Sequence, residues 1–144
     1  LARTLKEIMT TDCATVTLKD NVYEIAVKMK QEDTGFIPVV EGNKLIGCVT
    51  DRDLVLRGYA EKNEGSAAVE KVMSKDVVCA TPETTVDEAA KLMAQKQIRR
   101  LCVCDNGNFV GIVSLGDLAV RDKYEDEAGE ALSKISKDKQ FAHV

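Results

Sequence analysis

Histidine is nearly missing from this chain of 144 residues, which holds a single one, His143. A zinc site and a histidine-based acid/base pair are therefore not expected. Long apolar runs are missing too. The longest, Phe36–Val40 and Leu45–Val49, fall far short of the roughly 20 residues a membrane span needs, so no membrane association is expected. The first seven residues, Leu1 to Glu7, contain no apolar stretch of the secretory kind, and cytoplasm is the expected address. Positive charge is not in excess: the net charge is −4, which argues against a nucleic-acid partner because phosphate neutralisation needs a basic face. The five cysteines, Cys13, Cys48, Cys79, Cys102 and Cys104, form no Cys-x-x-Cys pair and are odd in number. They are read as reduced, mostly buried thiols, and Cys102 and Cys104 as packing residues, not metal ligands. No Gly-x-x-x-x-Gly-Lys loop and no nucleophile beside a base occurs, so the chain is not expected to be an enzyme.

What is present suffices for a folded protein. Hydrophobic residues make up 44% and charged residues 31%, too apolar for disorder, and the length suits one domain or two half-domains sharing a core. The chain is one unit written twice. A constant offset carries Ile8–Arg57 onto Val72–Arg121 without a gap, placing Met9 on Met73, Asp12 on Asp76, Glu24 on Glu88 and Met29 on Met93. It also places Gly47 on Gly111, Asp53 on Asp117 and Arg57 on Arg121.

Each copy reads as strand, helix, strand, strand, helix. A short extended stretch (Cys13–Thr17; Val77–Ala80) leads to a helix opened by a capping-box pattern, Asn21-x-x-Glu24 and Thr85-x-x-Glu88. One face of each helix is apolar, through Val22, Ile25, Ala26 and Met29 in the first and Val86, Ala89, Ala90 and Met93 in the second. Hairpins follow at Phe36–Val40 with Lys44–Thr50, turning on Gly42-Asn43, and at Leu101–Cys104 with Phe109–Ser114, turning on Asn106-Gly107. Second helices are predicted near Asp51–Ala60 and Leu115–Tyr124. The fold class is thus α/β (α+β), the two repeats packing sheet to sheet about a pseudo-twofold axis, because half a sheet with helices on one face cannot bury the other. Repeat 1 is placed at 5–60, a polar linker at 61–68, repeat 2 at 69–122 and a charged tail at 123–144, with a weak apolar pattern at Ala128, Ala131, Leu132 and Ile135.

Each hairpin ends in Gly-x-x-(Thr/Ser)-x-x-Asp, as Gly47 to Thr50 to Asp53 and Gly111 to Ser114 to Asp117. With the duplicated pattern around it, this motif resembles the CBS domain family, whose paired repeats form a Bateman module, and in particular small free-standing bacterial CBS-pair proteins. The motif also has a physical reading of its own. Glycine lets a ligand or a neighbouring backbone approach; a hydroxyl where strand turns to helix sits beside N–H groups that favour anions; a carboxylate three residues on can accept hydrogen bonds from two vicinal hydroxyls. The same residues are also ordinary helix caps, and both readings stay open.

The resemblance implies that Asp53 and Asp117 contact a ribose and that Arg99 and Arg100 contact phosphate, a task the guanidinium fork suits. The first copy has Gly35-Phe36 in place of the two arginines, with Arg52 as a possible substitute, so the second-copy site is expected to hold phosphate more tightly. Ala14, Val78, Ile37 and Leu101 are assigned to an apolar adenine slot. The candidate ligand site is therefore Thr50, Asp53, Ser114, Asp117, Arg99, Arg100, Ala14, Val78, Ile37, Leu101 and Arg52. The expected function is a regulatory module that changes conformation or association on binding AMP, ADP, ATP or S-adenosylmethionine, with no cofactor required. The resemblance further implies a homodimer and an effector protein of unknown identity. The alternative is a dimerisation or scaffold module that binds no ligand.

Overall fold

The structure, a computed structural model, describes residues 3–119. The predicted tail 123–144, with the pattern at Ala128, Ala131, Leu132 and Ile135, lies outside the described residues, as does the second helix beyond Ala119. Elements run in the order α1 Leu5–Ile8, α2 Val22–Glu32, β1 Phe36–Glu41, β2 Lys44–Thr50, α3 Asp51–Asp53, β3 Cys79–Ala80, α4 Val86–Lys96, β4 Arg100–Asp105, β5 Asn108–Ser114 and α5 Leu115–Ala119. Beyond α3 the chain continues as wider π-helical turns, Leu54–Tyr59, and a single 3-10 turn stands at Val69–Lys71. No helix among the described residues is long and apolar enough to cross a membrane.

The local signals act as their chemistry predicts. Asn21 Oδ1 accepts the Glu24 N–H at 2.8 Å while Glu24 Oε1 accepts the Asn21 N–H at 3.0 Å. Thr85 and Glu88 repeat the exchange at 3.1 and 2.9 Å, and the two Thr85 hydrogen bonds hold the Glu88 carboxyl below its usual range. At the hairpin tips Asn106 and Gly107 both take positive φ, 53° and 83°, the sign pattern of a type I′ turn, whereas at the first tip Gly42 does so, at 62°, and Asn43 does not. Between Val39 and Val40 the β1–β2 register slips by one residue, a bulge in the first hairpin.

Two expectations shrink. The first extended stretch of copy one forms a single parallel bridge, Val16 to Val39, because the next N–H, that of Thr17, is taken by Asp20 Oδ2 at 2.8 Å and the chain turns. In copy two β3 pairs with β4 in parallel through Cys79–Cys102 and Ala80–Val103. The apolar face of α4 is buried in full, Val86, Ala89, Ala90 and Met93 being at most 2% exposed. On α2 only Ile25 and Met29 are buried, while Ala26 is exposed alongside Tyr23.

β1 pairs with β2 antiparallel, and Lys44 of β2 pairs with Asn108 at the start of β5. Two compact units are cut differently from the repeats. Among the described residues, one takes the chain up to Thr11, Val78–Asp105 and the chain from Val110; the other takes Asp12–Val77 and the turn Asn106–Phe109. The reason is apolar side chains that leave their own repeat. Leu5 and Ile8 of α1 are buried in one cluster with Met93, Leu101, Val113 and Leu118, and Val69, Val72 and Met73 in the other with Ile25, Ile37 and Val49. α1 is pinned there by Leu5 N–H to Thr84 O at 2.9 Å and by the Thr4–Thr85 bridge.

The thiols are less buried than their apolar sequence contexts imply. Cys102 and Cys104 are buried, Cys13 and Cys48 half-buried, and Cys79 is exposed because it starts the short strand β3 at the sheet edge. The Cys104 thiol donates to Cys79 Sγ at 3.6 Å. Burial, with that contact second, pushes Cys104 up to about 12.

Candidate functional site

Both glycines of the repeated motif face backbone. A Cβ at Gly47 would stand 2.8 Å from the Ser74 carbonyl oxygen, and one at Gly111 would stand 2.9 Å from that of Thr10. These contacts belong to two-way bridges: Cys48 and Ser74 exchange N–H···O bonds of 2.9 Å each, and Thr10 and Ile112 exchange bonds of 2.9 and 3.0 Å. Of the two roles open to the glycine, close approach of a neighbouring chain is the one it fills.

The hydroxyl and carboxylate of the motif form helix caps in both copies. Thr50 Oγ1 accepts the Asp53 N–H at 3.0 Å and Asp53 Oδ2 accepts the Thr50 N–H at 2.9 Å. Ser114 and Asp117 repeat this at 3.1 and 2.8 Å. All four residues are half-buried. In both aspartates the cap uses Oδ2 and leaves Oδ1 outside it, so the carboxylate is held in a fixed orientation with one acceptor to spare.

A second backbone bond ties the residue before each hairpin to the helix start. Asp51 N–H donates to Gly35 O at 2.9 Å and Leu115 N–H donates to Arg99 O at 2.8 Å. Arg99 is thereby placed beside the Ser114–Asp117 cap, and Arg100 begins β4; both side chains are exposed. In copy one Arg52 is also exposed and follows Asp51, whose Oδ1 accepts the Arg52 N–H at 2.8 Å. The helix-start N–H groups expected to attract an anion are thus already engaged within α3: Asp51 with Gly35 O, Arg52 with the Asp51 carboxylate, Asp53 with Thr50 Oγ1.

The apolar assignments divide. Ala14 and Val78 are half-buried and offer some surface. Ile37 and Leu101 are 0% exposed and belong to the two cores, where Ile37 packs with Ile25 and Val49, and Leu101 with Met93 and Leu118. Their side chains therefore present no exposed surface. Each copy's set falls within one compact unit, Ala14, Ile37, Thr50, Arg52 and Asp53 in one and Val78, Leu101, Arg99, Arg100, Ser114 and Asp117 in the other. Asp51, which is not among the candidate residues, has its carboxylate against Gly35; the corresponding pair in the other copy is Leu115 and Arg99.

The profile of the family described as CBS domain matches residues 5–58 and 69–122. The CBS domain-containing protein YhcV of Bacillus subtilis is 47% identical over 132 residues, 92% of this chain and 94% of that protein. Among solved structures, CBSX2 in complex with AMP is 25% identical with a TM-score of 0.72, over 87% of this chain and 98% of that one. The CBS domain pair of MJ0100, in complex with 5′-methylthioadenosine and S-adenosyl-L-methionine, shares the fold at 23% identity and a TM-score of 0.76, over 87% and 99%.

Proposed function

The chain belongs to the CBS domain family, and from that premise we propose that it is a regulatory module that senses an adenosine-bearing ligand. The observation that carries this reading is the repeated half-buried carboxylate, Asp53 and Asp117, oriented by its cap through Oδ2 and retaining Oδ1 as an acceptor for ribose hydroxyls. Relatives of this fold hold AMP in one structure and S-adenosyl-L-methionine with 5′-methylthioadenosine in another, which supports the adenosyl class. Arg99 beside the second cap supplies a guanidinium for a phosphate ester there. Binding shifts the population of two arrangements of the module, and an effector protein reads the shift. The role is regulatory, not catalytic, and the site of action is the cytoplasm.

Calorimetric titration with AMP, ADP, ATP and S-adenosylmethionine tests the proposal. Asp53→Asn with Asp117→Asn is the informative variant. Each asparagine keeps a carbonyl oxygen for the cap and presents an amide donor where Oδ1 stood, so it preserves the helix start and removes the ribose acceptor. Micromolar binding, weakened at least about tenfold in this variant, is expected. Absence of binding tighter than about 1 mM for all four ligands overturns the proposal.

One observation favours the second reading, a dimerisation or scaffold module. Tyr23, Val55, Leu56 and Tyr59 are 65%, 57%, 46% and 86% exposed, all within the unit that holds α2 and the π-helical turns. A homodimer through these side chains would show as a doubled mass by light scattering that Tyr59→Lys reduces to the monomer.

A further inference from the structure

The two copies differ in charge at a pair of positions beside the caps. Residues 35 and 51 in the first copy correspond to 99 and 115 in the second, and each pair is joined by the same backbone hydrogen bond, 2.9 Å from Asp51 to Gly35 and 2.8 Å from Leu115 to Arg99. In the second copy the pair is arginine and leucine; in the first it is glycine and aspartate. These exchanges are coupled by packing. A Cβ at Gly35 would lie 2.7 Å from Asp51 Oδ2 and 3.0 Å from its Cγ, so the Asp51 carboxylate occupies the space in which any side chain at position 35 would begin.

The same carboxylate also takes a donor. Its Oδ1 accepts the Arg52 N–H at 2.8 Å, whereas Leu115 in the second copy has no acceptor to offer the N–H of Gly116. Neither of the ion pairs Arg3–Glu7 and Lys91–Asp87 involves Asp51 or Arg52, and among the described residues no ion pair offsets the Asp51 charge. The first copy therefore holds a built-in anion where the second holds Arg99. A phosphate ester brought to the first site meets a like charge instead of a guanidinium fork.

We propose that the first-copy site takes adenosine compounds whose 5′ substituent is neutral or cationic, such as a nucleoside, thioether or sulfonium, and rejects phosphate esters, which go to the second copy. This rests on the adenosine-sensing reading above. One chain would then respond to two chemical classes of adenosyl ligand, with Asp51 as the residue that sets the difference.

The test uses AMP, adenosine and S-adenosylmethionine as probes, titrated by calorimetry into the full chain and into Asp51→Asn. The unchanged chain is expected to bind one AMP, lost in Asp117→Asn, and to bind adenosine or S-adenosylmethionine at a site lost in Asp53→Asn. In Asp51→Asn a second AMP is expected, with affinity at that site raised about tenfold or more by removal of the like charge. Retained adenosine binding shows that the variant is folded. Two AMP sites of equal affinity in the unchanged chain, or an unaltered AMP stoichiometry in Asp51→Asn, would overturn the selectivity while leaving adenosine sensing intact. Failure of all three probes to bind the unchanged chain defeats the sensing reading itself, and the selectivity with it.

Discussion

Replacing Gly47 by alanine sets a methyl carbon 2.8 Å from a backbone oxygen, that of Ser74, and 3.2 Å from Met73 Sδ. The sulfur ends a flexible side chain and can move aside. The carbonyl cannot move alone, because Cys48 and Ser74 are locked by two hydrogen bonds of 2.9 Å, and Val72 and Met73 just before it are buried in the core. Restoring an ordinary contact requires the strands to part by roughly half an ångström. Such overpacking costs about 1–3 kcal/mol, and weakening two backbone hydrogen bonds adds on the order of 1 kcal/mol. The expected loss is about 2–4 kcal/mol, which at a urea dependence of about 1.5 kcal/mol/M lowers the unfolding midpoint by about 1.3–2.7 M. Gly111→Ala, 2.9 Å from Thr10 O, should behave alike. Gly42→Ala is the control: nothing lies within 4 Å, and its cost comes from a φ of 62° alone, about 1 kcal/mol. Urea unfolding followed by far-ultraviolet circular dichroism measures all three. If Gly47→Ala is no more destabilising than Gly42→Ala, the backbone does not need that glycine, and its role as the point of strand approach is refuted.

Leu5→Ala should cost about 2–5 kcal/mol, since Leu5 is 0% exposed in the cluster with Met93 and Leu101, whereas Lys6→Ala on the exposed side of α1 should stay within about 0.5 kcal/mol in the same urea assay. Thr50→Ala and Ser114→Ala should each cost about 1 kcal/mol through loss of a cap and Thr50→Ser close to nothing, as read by thermal denaturation. The Cys104 thiol, pushed up from about 9 to about 12 on folding, is held protonated by the native state. Its contribution is therefore complete below pH 9 and lost as pH rises toward 12, so urea midpoints of the unchanged chain should fall more steeply across that window than those of Cys104→Val. Iodoacetamide at pH 8 should alkylate the exposed Cys79 before the buried Cys104, as peptide mass analysis would show.

Most of the fold was legible in the sequence because its signals are local. The boxes at Asn21–Glu24 and Thr85–Glu88 link residues three apart, the Asn106-Gly107 turn needs only two residues tolerant of positive φ, and the duplication shows in any self-alignment. Within the candidate site, the Thr50–Asp53 and Ser114–Asp117 pairs were found for the same reason, and the cap geometry follows directly from their spacing.

What only tertiary structure decided were choices between partners distant in the chain. Leu5 and Ile8 look like the start of their own repeat, yet they fill the core around Met93 and Leu101; nothing in a helix period of 3.6 says which apolar cluster a stripe will meet. Glycine at positions 47 and 111 could equally have admitted a ligand or a strand, and the carbonyls of Ser74 and Thr10 settled it. Ile37 and Leu101 were apolar enough for either a ligand wall or a core, and folding buried each completely in one of the two apolar clusters. The meaning of Gly35 depended on Asp51, across a whole hairpin. Sequence by itself determined the repeats, their elements and the paired carboxylates, through contacts a few residues long; the charge and the space around those carboxylates came from side chains that only folding brings together.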